Sequence, residues 1–149
     1  MTKNLLKGAM LLVLIAFFIS CEKSDENENS DGGERSHNAG ENCMNCHKSG
    51  GSGEGRFTVA GTLYNAAGSV YPNATVKLYT GDEATGTLVK SIKSDASGNF
   101  YTTESVSFGS GLYVTINGTN GEIMNKGFTI TNGSCNSCHG NSTGAIEVK

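Results

Sequence analysis

The sequence predicts an all-β protein: a small antiparallel β-sandwich of about seven strands behind a flexible N-terminal tether. Three observations carry this. Apolar and polar residues alternate with a period of two across residues 56–131, the spacing of half-buried strands. Turn signals rich in Gly, Asn and Asp interrupt the alternation at short intervals, and the chain holds 21 Gly but 1 Pro. No long helical period follows residue 21. A length of 149 residues accommodates one domain and a tether, not two full domains.

The strands follow in order. Phe57, Val59, Gly61 and Leu63 alternate with Thr58, Ala60 and Thr62, and Ala74, Val76 and Leu78 with Thr75, Lys77 and Tyr79. In the third strand Leu88 and Ile92 share a face only with Lys90 between them. If Val89 takes the core instead, a bulge is expected there. Asp95-Ala96-Ser97-Gly98-Asn99 is a turn, after which Phe100 opens a strand ending near Val106. Leu112, Val114 and Ile116 form the fifth strand, and Asn117-Gly118-Thr119-Asn120-Gly121 turns the chain again. Ile123, Phe128 and Ile130 form the sixth, with a break at Gly127, and Ile146 and Val148 a short seventh.

The stretch Tyr71-Pro72-Asn73-Ala74-Thr75-Val76-Lys77-Leu78, followed by Asp95-Ala96-Ser97-Gly98-Asn99-Phe100, resembles the carboxypeptidase regulatory-like, or prealbumin-like, domain family. The resemblance covers roughly residues 57–131. It implies a sandwich fold and not an activity, because such modules are mostly non-catalytic.

Residues 1–20 read as an export signal: Lys3 and Lys7 give a basic start, Leu11 to Ile19 an uncharged apolar run, and Ser20 a small residue before Cys21. The apolar run is short for a membrane span of ~20 residues. Phe18-Ile19-Ser20-Cys21 resembles a bacterial lipobox, which implies cleavage before Cys21, lipidation of its thiol and membrane attachment through that lipid. Residues 21–42 then read as an acidic tether, with seven acids from Glu22 to Glu41 against Lys23 and Arg35. Lys23-Ser24-Asp25-Glu26 also resembles the acidic surface-export signal of some Gram-negative lipoproteins. An outer-membrane lipoprotein facing the periplasm or the cell surface is therefore expected. With 11 Lys+Arg against 14 Asp+Glu and no basic stripe, nucleic acid is not an expected partner.

Apart from Cys21, the cysteines fall into two copies of one motif: Cys43-Met44-Asn45-Cys46-His47 and Cys135-Asn136-Ser137-Cys138-His139. The first stands in a segment, residues 43–55, that ends in a Gly-rich linker. The second, at 135–139, lies within the sandwich segment 56–149. C-x-x-C-H is the attachment signature of c-type haem. Two thiols three residues apart lie on one side of a short turn and form thioethers to the vinyl groups on one porphyrin edge. The following His swings under the iron as proximal ligand. On this reading Cys43, Cys46, Cys135 and Cys138 attach two haems, and His47 and His139 ligate the irons. His37 and Met124 are candidate distal ligands; Met44, inside a motif, is expected to point away.

The motifs look like those of a small c-type cytochrome, although the resemblance covers only the two pentapeptides and their Gly/Ser/Asn-rich flanks. It implies electron transfer with a redox partner protein. Two other readings stay open: disulfides within or between the C-x-x-C pairs, and zinc held by thiolates and imidazoles. Either would make the chain a non-catalytic surface binding or adhesion module with clasped ends. No nucleophile elbow or paired acidic motif points to an enzyme, and Asp82, Glu83 and Glu104 read as solvated residues. If six strands separate the motifs and every connection reverses the chain, both motifs fall at one end of the sandwich.

Overall fold

The computed structural model describes residues 36–149. The export signal, Cys21 and the tether up to residue 35 lie outside the described residues. The described chain is all-β: β1 (Val59–Asn65), β2 (Thr75–Tyr79), β3 (Leu88–Lys93), β4 (Asn99–Thr102), β5 (Tyr113–Asn117), β6 (Ile123–Asn125), β7 (Gly133–Ser134) and β8 (Ile146–Val148). They form two four-stranded sheets, one with β4, β1, β7 and β8, the other in the order β3-β2-β5-β6. Among the described residues no helix is long and apolar enough to cross a membrane.

The second sheet is antiparallel throughout, as expected. The bulge expected in the third strand is present: Tyr79 faces Leu88 and Leu78 faces Lys90, so Val89 is the extra residue. Val89 packs against the core while Leu88 stays exposed. The sixth strand is shorter than the alternation suggests. β6 ends at Asn125, Phe128 is exposed, and Ile130 rejoins only through an isolated antiparallel bridge to Leu112.

The first sheet departs from a purely antiparallel pattern. β4 pairs antiparallel with β1, but β7 and β8 both pair parallel with it, β7 at Val59–Ala60 and β8 at Leu63–Asn65. One edge of β1 is thus served by two short strands running in the same sense, with the second C-x-x-C-H between them. The final part of the sandwich is therefore two short strands rather than one, giving eight.

The core lies between the sheets. Val59, Leu63, Phe100 and Val148 from the first sheet meet Val76, Leu78, Ile92 and Ile116 from the second, with Ala74 and Leu112 beside them. Burying such apolar side chains supplies about 1.5–3 kcal/mol each relative to exposure. β1 is buried on both faces, unlike the half-buried strand its alternation predicts: Ala60 and Thr62 are covered as fully as Val59 and Leu63. Segments carrying the two motifs cover the second face.

Candidate functional site

Each C-x-x-C-H folds as one turn of 3-10 helix, Cys43–Asn45 and Cys135–Ser137, continued by the second Cys and the His. In the first, the amides of Cys46 and His47 both donate to the Cys43 carbonyl, at 3.2 and 2.9 Å. In the second, those of Cys138 and His139 both donate to the Cys135 carbonyl, at 3.3 and 3.0 Å. The chain after each His folds back and offers a carbonyl to the ring. His47 Nδ1 donates to the Glu54 carbonyl at 2.7 Å, and His139 Nδ1 to the Gly144 carbonyl at 2.9 Å. A carbonyl only accepts, so Nδ1 carries the proton and the neutral ring keeps its lone pair on Nε2. Neither Nε2 makes a hydrogen bond among the described residues. This is the arrangement that fixes the tautomer and orientation of metal-bound imidazoles.

The glycine-rich run after His47 is a wrap rather than a plain spacer. Gly53 N donates to the Cys46 carbonyl and Phe57 N to the His47 carbonyl, both at 3.0 Å. A Cβ on Gly51 would stand 2.0 Å from the Cys46 carbonyl oxygen, and one on Gly53 2.9 Å from His47 Nδ1. Side chains are excluded here by close approach. The apolar wall that the flank lacks comes from just beyond it. Phe57 stacks on His47 with centroids 4.0 Å apart and planes 4° apart, and Tyr101 stacks on Phe57 at 4.4 Å. His47 is only 9% exposed.

Both motifs lie together beside β1. Ser134 Oγ donates to Asn42 Oδ1 at 2.9 Å, and Asn136 Nδ2 to the Glu41 carbonyl at 2.9 Å. Cys43 and Cys135 are close enough for negative charge on Cys43 to disfavour the Cys135 thiolate. Burial is the larger cause and pushes the Cys135 thiol up to about 12; burial also raises Cys43. Cys43, Cys135 and Cys138 are free thiols, and Cys138 is exposed. Cys46 closes the first turn.

Residues 36–42, expected as the end of the tether, are fastened to the sandwich. Ser36 N donates to Asp95 Oδ2 at 3.0 Å, Asn99 Nδ2 donates to the His37 carbonyl at 3.1 Å, and Gly40 N donates to Thr62 Oγ1 at 2.9 Å. This sets the His37 ring 5.8 Å from that of His47, centroid to centroid. Met124 lies elsewhere, on β6 opposite Ile116 in the second sheet and packed against the core.

Sequence reasoning missed Asn136 and Thr62. Asn136 is an unspecified position of its motif and Thr62 a nominally outward strand residue, yet both are buried. The signal for Asn136 is its amide, which brings two donors and an acceptor on one short side chain to the gap between β7 and β8.

At the second motif two free cysteines in one turn, then an imidazole with Nε2 unengaged, match the donor set of a c-type haem; at the first, Cys46 is disulfide-bonded, so the same set forms only once that bond is reduced. Among the described residues no group of three or more His, Cys, Asp or Glu side chains converges as a metal-ion site. No family model, curated protein or solved structure matches the chain.

Proposed function

We propose that this chain is an electron-transfer lipoprotein carrying two covalently attached c-type haems, one through Cys43, Cys46 and His47 and one through Cys135, Cys138 and His139. The observation that carries the reading is the repetition of one local design. Two C-x-x-C-H segments far apart in sequence fold as the same turn, and each His is bound by Nδ1 to a carbonyl so that Nε2 is left for a metal. Haem iron, when bound, supplies one-electron chemistry whose potential depends on axial ligands and burial. His47 and His139 would each hold the iron of one group, and His37, its ring 5.8 Å from that of His47, is the candidate second ligand at the first. Phe57 limits rotation of the His47 ring and gives one site an apolar wall. Adjacency of the motifs favours exchange between the two sites and with a protein partner. The order of residues around Cys21 supports lipid attachment at the outer membrane, and the resemblance to regulatory-like modules supports a scaffold without catalysis of its own.

The test is the absorption spectrum of denatured protein made in a host that attaches c-type haem. Two covalent haems per chain are expected, and one per chain when either Cys pair is replaced by Ser. Colourless protein from such a host would instead support a binding or adhesion module with clasped ends. The adjacency of Cys43 and Cys135 favours that second reading in a disulfide form; zinc is its other form.

A further inference from the structure

We infer that Asn136, inside the second C-x-x-C-H, is a positioning residue for the first motif: it holds residues 36–42, and with them His37, across His47. The inference rests on the reading of His47 as a haem ligand. Asn136 is 5% exposed and its carboxamide fills the gap that β7 and β8 leave along β1. Its Oδ1 accepts from Thr62 N at 3.1 Å, and its Nδ2 donates to Thr62 Oγ1 and to the Glu41 carbonyl, both at 2.9 Å. Thr62 Oγ1 accepts from Gly40 N as well and donates to Asn99 Oδ1 at 2.6 Å, which uses its full capacity. Asn99 Nδ2 then donates to the His37 carbonyl and, at 2.7 Å, to Ser36 Oγ.

The Asn136 amide thus reaches the strap at both ends, directly at Glu41 and through Thr62 and Asn99 at Ser36 and His37. A buried network of this kind has few alternative arrangements, because each broken bond strands a buried group. Removing the amide frees the strap, and His37 loses its fixed place beside His47, although Asn136 touches neither ring. The second motif thereby sets the distal side of the first.

The experiment uses full-length haem-loaded protein with Asn136→Ala, Asn136→Asp and Asn99→Ala, and Asn141→Ala as an exposed control. Ferric electron paramagnetic resonance and visible spectra report the spin state of each haem. The wild type is expected to have a low-spin first haem. In Asn136→Ala and Asn99→Ala one haem of the two becomes high-spin, added imidazole restores it, and the control stays unchanged. Asn136→Asp keeps the acceptor for Thr62 N and serves if the alanine variant does not fold. A high-spin first haem in the wild type, or unaltered spin states in folded Asn136 and Asn99 variants, would overturn the inference. If no haem attaches, hydrogen exchange separates the two ideas. Faster exchange over 36–42 in Asn136→Ala keeps the positioning role while the electron-transfer reading falls; unchanged exchange removes both.

Discussion

Ser134 Oγ donates to Asn42 Oδ1 at 2.9 Å, joining the residues that directly precede the first cysteine of each motif. Asn42 Oδ1 also accepts from Met44 N at 3.2 Å, so one side chain caps the first turn and ties it to the start of the second. Replacing Asn42 by Ala removes both bonds, and with them the long exposed one from its Nδ2 to Asn45 Oδ1 at 3.4 Å, and is expected to cost about 1–2 kcal/mol, within the range for a lost cap. Ser134→Ala removes one and costs about 1 kcal/mol. Because the pair shares a bond, the double variant should lose less than the sum, with a coupling of at least about 0.5 kcal/mol by urea unfolding. Strict additivity would show that the tie contributes nothing.

Thr62 offers a second test, because its hydroxyl serves three partners at once. In Thr62→Val the Gly40 amide and Asn99 Oδ1 lose their partner, while Asn136 Nδ2 keeps the Glu41 carbonyl. Two stranded groups cost about 2–4 kcal/mol together. Thr62→Ser keeps the hydroxyl and loses one buried methyl, for about 0.5–1.5 kcal/mol. Thermal unfolding of the pair separates hydrogen bonding from packing; equal losses would reject the hub.

The sandwich was legible because its strands follow the simplest of rules. Val76 and Leu78 alternate with Thr75 and Lys77, and the Lys90 conflict marks the bulge at Val89. The Asp95 turn was equally legible: its carboxylate accepts from the amides of Ser97 and Asn99 at 2.8 and 3.0 Å, a local bond that sequence order alone dictates. The chemistry of the motifs was legible as residue types at fixed spacing. Their surroundings were not, since these are contacts between distant segments. Thr62 alternates like any outward residue, and the return of residues 134–136 to β1 together with the strap at Gly40 covers it. Phe57 read as the first inward residue of a strand; the wrap at Gly51 and Gly53 turns it instead against His47. For Met124, neither its type nor its spacing records that β6 belongs to the other sheet and that the side chain packs against the core.

Gly61 tests how closely the second motif is packed. A Cβ there would stand 2.7 Å from Phe100 Cζ and 2.9 Å from Cys135 Cβ. Both neighbours belong to the packed interior, so Gly61→Ala is expected to destabilise by about 1–3 kcal/mol, the usual range for overpacking. Gly127→Ala is the matched control, because a Cβ there meets nothing within 4 Å. It should stay within about 0.5 kcal/mol of the wild type. Denaturant midpoints at equal slope decide the comparison.

The unequal burial of the second motif's thiols makes a prediction about when haem can be attached. Cys138 is exposed, whereas Cys135 packs against the core, and burial, reinforced by Cys43, pushes its thiol up to about 12. Only the thiolate is strongly nucleophilic, so in the folded haem-free chain Cys138 should react with a thiol reagent at pH 8 well before Cys135. Attachment at Cys135 accordingly has to precede closure of β7 onto β1, and haem supplied to the folded chain should not bond there. The same burial sets a pH dependence. The folded value lies above the reference of 9.0, so the neutral thiol is the form that folding favours. Its contribution to stability is whole below 9.0 and is lost as pH rises toward 12, by at most about 1.4 kcal/mol per pH unit. Cys135→Ala in the haem-free chain removes the Cys135 share of this alkaline slope and leaves the share of the buried Cys43, whereas thioethers at both cysteines remove both shares, because a thioether has no proton to lose. Urea unfolding of haem-free, Cys135→Ala and haem-loaded protein between pH 8 and 11 therefore ranks the three, with the steepest loss in the haem-free chain, less in Cys135→Ala and least in the haem-loaded protein. An equally steep loss in all three would show that Cys135 is not the group that titrates.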